Sequence, residues 1–315
     1  MNSTPSPALV TQRAVERLPR PALLLFCAAY VLPGLFGRDP WRGADQSAFG
    51  YMLAMAEGRT SWLAPTLGGL PPESAVLPHW LGAASIWLLS PWVDAPMAAR
   101  VPFGLLLAGV LALTWYTTFQ LARTEAAQPV AFAFGGEATP IDYARAMADG
   151  ALLALIASLG LLQLGHETTP ELAQLFAAAL ALWACAAAPF RGWTARVSML
   201  CALPLLAASG APTMAVLFGA TVAVITALSS YDAGRTFAPW AVAATGFAAL
   251  AAWVLGTWGW RISVEANAAQ GLQLVRLWLW FLWPVWLLAL WTLWRWRRHL
   301  NKRHDRPGQG HGNVA

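Results

Sequence analysis

The chain has 315 residues, of which 58% are hydrophobic and only 11% are charged, and its mean hydropathy is +0.51. A soluble domain has roughly 25% charged residues, so this composition excludes a soluble protein and predicts an all-α, polytopic membrane protein. The net charge of +5 comes from nineteen arginines and one lysine against fifteen acidic residues. Most of these cations lie at the ends of apolar runs, so they indicate membrane orientation and not nucleic-acid binding.

The N-terminal third predicts one span followed by a long loop. Polar residues 1–20 precede the apolar run Pro21–Gly37 without a small-residue cleavage site, which predicts a retained first span. Residues 38–99 then contain two moderately apolar pieces, Ala44–Ala56 and Leu77–Trp92. As helices they reach at most ~24 Å, too short for a ~30 Å hydrocarbon core. Interfacial or re-entrant helices are therefore predicted here.

The rest of the chain predicts a series of spans. Val101–Ala122 is the second span, and the polar stretch Arg123–Asp149 is predicted to be a loop. Six further apolar runs bring the total to about eight spans: Gly150–Gly165, Glu171–Pro189, Val197–Ala208, Pro212–Ser229, Pro239–Trp258 and Leu274–Trp296. The predicted transmembrane domain is thus 21–298, followed by a polar, Gly- and His-containing tail, 299–315, that we expect to be disordered.

The cations predict the orientation of these spans. With the N-terminus in the cytoplasm, the eight-span arrangement puts fourteen Arg and Lys residues on the cytoplasmic side and six on the other. Cytoplasmic loops carry the excess of such residues. The bias therefore predicts that both termini are cytoplasmic and that the loop 38–99 is extracytoplasmic.

The placement of ionisable residues argues against a transporter. The predicted spans carry almost none away from their ends, whereas transporters keep such groups at the bilayer midplane. The charges gather in the predicted outer loops instead. Loops at a membrane surface suit a substrate with a lipid tail and an anionic head. There a carboxylate can take a proton from a hydroxyl or amine, while arginines hold a phosphate leaving group.

Each candidate residue also has a simpler interpretation. Asp45 opens a short apolar helix and fits an N-cap. His79, beside a tryptophan, fits a packing histidine, and His166-Glu167 fits a polar loop at a helix end. The tryptophans near the C-terminus can stack on a sugar but fit an interfacial belt better: Trp278, Trp280, Trp283, Trp286, Trp291, Trp294 and Trp296. No Asp-x-Asp pair or His/Cys cluster indicates a metal, and no cofactor is predicted.

The outer loop carries an ordered set of short motifs. They are Asp45-Gln46-Ser47-Ala48-Phe49, Trp62-Leu63-Ala64-Pro65, Gly69-Leu70-Pro71, Glu73 and His79-Trp80-Leu81, followed by Ala99-Arg100-Val101-Pro102, Glu167-Thr168-Thr169-Pro170-Glu171-Leu172 and Ser209-Gly210-Ala211-Pro212. In order and spacing, over roughly residues 20–230, this set resembles the membrane-embedded GT-C glycosyltransferases of the aminoarabinose-transferase and protein O-mannosyltransferase type (glycosyltransferase family 39).

The resemblance implies an activity and a site. Such enzymes move a sugar from a polyprenyl-phosphate donor to a lipid or protein acceptor outside the cytoplasm, which here implies the bacterial inner membrane and its lipids. Asp45 is then the catalytic carboxylate. The implied substrate-binding residues are Arg100, Arg59 and Arg42 at the donor phosphate, with Glu73 and His79 in the same motifs.

The chain also departs from the family pattern. The second acidic residue of the family is Gln46 here, the lysine of its Glu-Lys-Pro motif falls at Ser74, and a second lysine is replaced near Gly210. The relatives usually continue with more helices and an outer domain, so the resemblance implies a member shortened at its C-terminus. A non-catalytic relative, acting as a membrane accessory or lipid-binding protein, is the alternative function.

Overall fold

The computed structural model describes residues 10–15, 18–36, 39–41, 43–72, 75–129, 131–132, 135–229, 231–258 and 268–302. Within these ranges the chain is helical, and two isolated β-bridges are the only extended pairing. The predicted all-α class is therefore confirmed. In chain order the α-helices are α1 Arg20–Val31, α2 Gly43–Ala56, α3 Leu77–Leu89, α4 Ala95–Ala122, α5 Pro140–Ile156, α6 Leu159–Leu164, α7 Pro170–Ala187, α8 Gly192–Ala208, α9 Pro212–Ala227, α10 Asp232–Val254, α11 Ala268–Phe281 and α12 Val285–Lys302.

Only some of these helices are long enough to cross a membrane. In the described part of the chain, α4, α7 and α10 combine sufficient length with sufficient hydropathy. The pair α11 and α12 makes a fourth candidate if its two bent parts count as one span. α1, α8 and α9 are apolar but shorter. The structure thus supports a multi-pass helical membrane protein with three or four full-length candidate spans, fewer than the eight predicted.

The predicted last span, Leu274–Trp296, is two helices instead of one. α11 ends at Phe281, α12 begins at Val285, and the two are bent by 90° at the break. The intervening turn contains Pro284. Proline has no N–H for the helical ladder and its ring clashes with the preceding turn, which explains why the apolar run does not continue as one rod.

The predicted loop Arg123–Asp149 is wrong in its second half, because α5 begins at Pro140. Thr139 caps this helix: its Oγ1 accepts a hydrogen bond from the backbone N of Asp142 at 3.2 Å. A threonine N-cap followed by proline at the first helical position is a strong start signal. The charge of this stretch therefore marks the polar first turns of a helix.

The predicted third span, Gly150–Gly165, is also broken. α5 ends at Ile156, and the six-residue α6 begins only at Leu159. The Oγ of Ser158 donates a 2.6 Å hydrogen bond to the carbonyl oxygen of Leu155, so this hydroxyl satisfies a carbonyl near the helix end. The short helix α6 then leads directly into the loop before α7.

Two apolar clusters hold the helices together. The first lies among α7, α8, α9 and α10, where α10 packs on both α8 and α9. Its buried faces are rich in small residues, which let helices approach closely: Ala177, Ala181, Ala184, Ala202, Ala244, Ala248 and Ala252. The second cluster lies among α2, α3 and α4, and α4 packs on α7. The loop after α6 contacts this second cluster of helices through the bonds from Thr168 to Asp45 of α2.

The two short helices predicted in the loop 38–99 are present. α2 has 14 residues and α3 has 13, and they pack on each other, with α3 also packing on α4. Their lengths are roughly 20 Å, as predicted. This arrangement brings residues of the segment 38–99 against α4 and against the loop before α7.

Candidate functional site

Asp45 lies in the first turn of α2, where the positive end of the helix dipole favours a carboxylate. It is third in that helix and so is not its N-cap. The residue is only 1% exposed. Its Oδ1 accepts two hydrogen bonds from Thr168, at 2.9 Å from the backbone N and 2.6 Å from Oγ1. Because Thr168 stands two residues before α7, Asp45 ties α2 to the start of α7.

Arg100 lies in the second turn of α4 and is 3% exposed. It lines a narrow cleft together with His166 and Thr168, and the remaining lining comes from glycines and apolar side chains of α4, the loop after α6 and the end of α1. The interior volume, about 10 Å³ for the centre of a water molecule, holds about one water. The arginine is thus buried at a closed cleft.

His166 connects this cleft to α1. Its Nδ1 lies 2.9 Å from the carbonyl oxygen of Leu162, and its Nε2 lies 2.8 Å from that of Tyr30. Both partners are backbone carbonyl oxygens, so the ring is held between α6 and α1. Gly34 makes room for the ring, because a Cβ there would lie 1.9 Å from His166 Cδ2.

Thr168 brings the predicted acid and the predicted phosphate ligand to one place. It hydrogen-bonds Asp45 and also lines the Arg100 cleft. Thr168 therefore bonds the carboxylate from α2 and lines the same cleft as the guanidinium from α4. The carboxylate itself is covered, because Asp45 does not line the cleft.

The structure separates Arg59 from this place. Arg59 follows α2 in an exposed turn and pairs with Glu57. Its side chain is 57% exposed, so water screens the pair. Two further predicted ligands, Arg42 and Glu73, lie outside the described residues. The predicted set of arginines is thus represented at the cleft by Arg100.

His79 has the contacts of a packing histidine. It is buried on α3, its ring meets that of Tyr51 edge-on at 5.3 Å between centroids, and its Nδ1 pairs with the carbonyl oxygen of Ala75. Burial lowers the pKa of the imidazole below its ordinary value, against the opposing effect of that hydrogen bond. His79 therefore joins α3 to α2 and does not line the Arg100 cleft.

A second cavity lies at the bend between α11 and α12. It is open at the protein surface, with a volume of about 480 Å³, and is lined by Trp286 and by three exposed side chains, Leu279, Trp280 and Trp283. The indole Nε1 of Trp286 donates to the carbonyl oxygen of Leu279 at 3.2 Å, so that polar atom is satisfied within the wall. The lining is mostly apolar and aromatic.

Within the described ranges, no three His, Cys, Asp or Glu side chains form a group that could hold a metal ion. Arg100 at the cleft is a cation that can hold an anion, and Asp45, covered beside it by Thr168, is a carboxylate that can take a proton once uncovered. Comparisons with family models, with curated proteins and with solved structures found no match for this chain.

Thr168 was not a candidate in the sequence, whereas His166 was a candidate with a simpler interpretation. In the sequence Thr168 is one residue of the Glu167-Thr168-Thr169-Pro170 motif, with no role of its own. The same motif contains Thr169, the N-cap of α7. His166 was predicted only as part of a polar loop at a helix end, where it does lie. Nothing in the sequence signals their contacts with Asp45 and Tyr30, because these join residues more than a hundred positions apart.

Proposed function

We propose that this protein transfers a sugar from a polyprenyl-phosphate donor to a lipid or protein acceptor on the extracytoplasmic side of the bacterial inner membrane. The observation that carries the proposal is that Thr168, which hydrogen-bonds Asp45, lines the same cleft as Arg100. A proton acceptor and a phosphate-binding cation are the two groups that such a displacement needs. The outer-loop motifs and the positive-inside bias support the same placement.

In this reaction the acceptor hydroxyl attacks the anomeric carbon of the sugar. The bond from that carbon to the phosphate oxygen breaks, and the polyprenyl phosphate leaves with the electron pair. Asp45 takes the hydroxyl proton on its carboxylate, and Arg100 binds the charge on the departing phosphate. Holding both partners at one junction lowers the entropy cost of bringing them together.

The proposal requires the cleft to open. Asp45 is covered by Thr168, and the cleft holds about one water. Movement of the loop between α6 and α7 would uncover the carboxylate and widen the cleft at the same time, because Thr168 in this loop both covers Asp45 and lines the cleft.

The proposed topology is the eight-crossing one, with both termini in the cytoplasm. α1, α8 and α9 would cross as short helices, with the bilayer thinned around them or with flanking residues reaching to its surface. In this arrangement the loop 38–99 and the loop before α7 meet on the outer side.

A donor-binding measurement tests the site. Arg100→Ala should weaken binding of undecaprenyl phosphate to the full chain in nanodiscs by about tenfold or more, because a charge-assisted phosphate contact is lost. Arg235→Ala, which removes an exposed arginine that pairs with Asp232 on α10, is the matched control and should bind as the wild type does. Equal affinity of the Arg100→Ala and wild-type proteins would contradict the site.

The second candidate function is a lipid-binding accessory protein without transfer activity. Two observations favour it specifically: Asp45 is 1% exposed, and Gln46 stands where the family has a second carboxylate. Such a protein would bind the lipid phosphate at Arg100 and use Asp45 only to hold α2 against α7. Donor binding without any sugar transfer would select this alternative.

A further inference from the structure

The short helix α6 has a different site at each of its ends. At its start, the backbone N of Leu159 donates to the carbonyl oxygen of Trp283 at 3.2 Å. Just beyond its end, Gly165 and His166 line the Arg100 cleft. Six residues of α-helix measure roughly 9 Å. A polar cleft and an aromatic cavity are thus separated by about the length of one short helix.

Close packing fixes the aromatic cavity to α6. A Cβ on Gly160 would lie 2.1 Å from Cδ2 of Phe281, so the glycine lets the end of α11 rest directly on the helix. Trp280, just before Phe281, and Trp283, two residues after it, line the cavity. These contacts with α6 therefore fix the position of the cavity relative to the Arg100 cleft.

The cavity has the size and chemistry of a site for an apolar ligand. Its volume of about 480 Å³ falls within the range of small-molecule pockets. Indole rings supply most of the lining, and the Nε1 of Trp286 is hydrogen-bonded within the wall. The lining therefore offers ring surface and little polarity.

We infer that the tryptophan-lined cavity holds the hydrocarbon chain of the polyprenyl phosphate whose phosphate binds at the Arg100 cleft. The inference rests on the proposed function and adds where the chain of the donor lies. A cation at one end of α6 and an apolar cavity at the other match an amphiphile with one charged head and one chain. A phospholipid carries two chains, and a single cavity at this bend receives one.

The energy of this contact comes from packing against the rings. A chain that leaves the bilayer for the cavity gains no hydrophobic free energy, because lipid tails are as apolar as protein side chains. Contact with an aromatic ring contributes a modest amount. We therefore expect the cavity to change affinity by about fivefold for each ring removed.

Chain length combined with mutation tests the inference. The probes are isopentenyl phosphate, whose chain is too short to leave the cleft, and geranylgeranyl phosphate, both added to the full protein in phosphatidylcholine nanodiscs. Trp283→Ala should weaken binding of geranylgeranyl phosphate about fivefold and leave isopentenyl phosphate unchanged. Trp253→Ala, an exposed tryptophan of α10, should change neither affinity. Equal effects of Trp283→Ala on both probes, or no effect on either, would overturn the inference.

Photocrosslinking keeps the test independent of how the variant folds. A geranyl phosphate with a terminal benzophenone should label peptides of residues 271–295 in the wild-type protein, and geranylgeranyl phosphate should compete with it. Labelling confined to other helices would overturn the inference, as would equal competition by phosphatidylglycerol. If isopentenyl phosphate does not bind the wild type, the proposed donor site fails; if it binds but chain length and Trp283 have no effect, the inference alone fails.

Discussion

Two neighbouring threonines in the loop before α7 have opposite environments. Thr168 Oγ1 donates to the buried Asp45 at 2.6 Å. Thr169 is equally buried, yet in the described part of the chain its Oγ1 has no hydrogen-bond partner. A hydrogen bond to a charged group contributes more than one between neutral groups, and a buried hydroxyl without a partner costs free energy. Comparing substitutions of the two threonines therefore separates the effect of the Asp45 hydrogen bond on stability from the effect of burying a hydroxyl.

Thr168→Val should lower the free energy of unfolding by about 1–3 kcal/mol, because Asp45 keeps only the backbone N–H of residue 168 as donor. Thr169→Val should leave it unchanged or raise it by up to about 1 kcal/mol. Denaturant titration in mixed micelles measures both. Equal losses in the two variants would show that the Asp45 contact contributes nothing to stability.

At this scale the sequence offered candidate residues but not their contacts. The motif resemblance pointed to Asp45 and Arg100; in the structure Thr168 bonds Asp45 and lines the same cleft as Arg100. Arg59 was predicted in the same way, but a local partner, Glu57, two residues away, holds it at the surface. Side-chain pairing between helices that are distant in sequence depends on how the helices pack, and short sequence motifs do not specify that packing.

At the scale of elements, small residues govern how the helices meet. On α10 the buried positions Ala244 and Ala248 are one helical turn apart and face α8 and α9, whereas Ala243 is exposed. Extra methyl groups in a closely packed helix interface force the helices apart. An exposed position on an apolar helix has no such constraint.

Ala244→Leu should therefore destabilise the protein by about 1–3 kcal/mol. Ala243→Leu, which adds the same atoms one position earlier, should change stability by less than about 0.5 kcal/mol. Thermal unfolding in detergent, followed by the loss of far-ultraviolet circular dichroism, compares them. A similar melting temperature for the two variants would contradict the assignment of Ala244 to the interface of α10 with α8 and α9.

Hydropathy located most helices but not their breaks. The short helices α2 and α3 lie almost where the apolar pieces of the outer loop predicted them. The start of α5 was hidden by the charges of its first turns, although Thr139-Pro140 is a capping signal. The breaks near Ser158 and Pro284 interrupt runs that are apolar on average, so mean hydropathy does not locate them, although proline is itself a helix-breaking residue.

At the scale of the whole molecule, the lengths of the helices and the distribution of cations indicate different numbers of membrane crossings. Three or four of the described helices are long enough to span, while the distribution of nineteen arginines and one lysine fits eight crossings. The two agree if short apolar helices also cross. The orientation of the loop 38–99 tests one such short helix, because that loop is extracytoplasmic only if α1 crosses from a cytoplasmic N-terminus.

Reporter fusions measure that orientation. Alkaline phosphatase fused after residue 68 should be active, because the loop 38–99 is extracytoplasmic in the proposed topology. Fused after residue 130, it should be inactive, and a fluorescent protein at the same position should be bright. The opposite pattern at both positions would place the Asp45 site in the cytoplasm and remove a donor site on the outer side.

The most direct test of the central claim is sugar transfer itself. Purified protein in proteoliposomes is given a panel of radiolabelled polyprenyl-phosphate sugars with a membrane extract as the source of acceptors. The account predicts transfer from at least one donor, reduced about 10²–10⁴-fold in Asp45→Asn, the range of general base catalysis. Asp39→Asn, an exposed carboxylate of the same loop, should transfer as the wild type does. Full transfer by Asp45→Asn, or none by the wild type from any donor, would contradict the account.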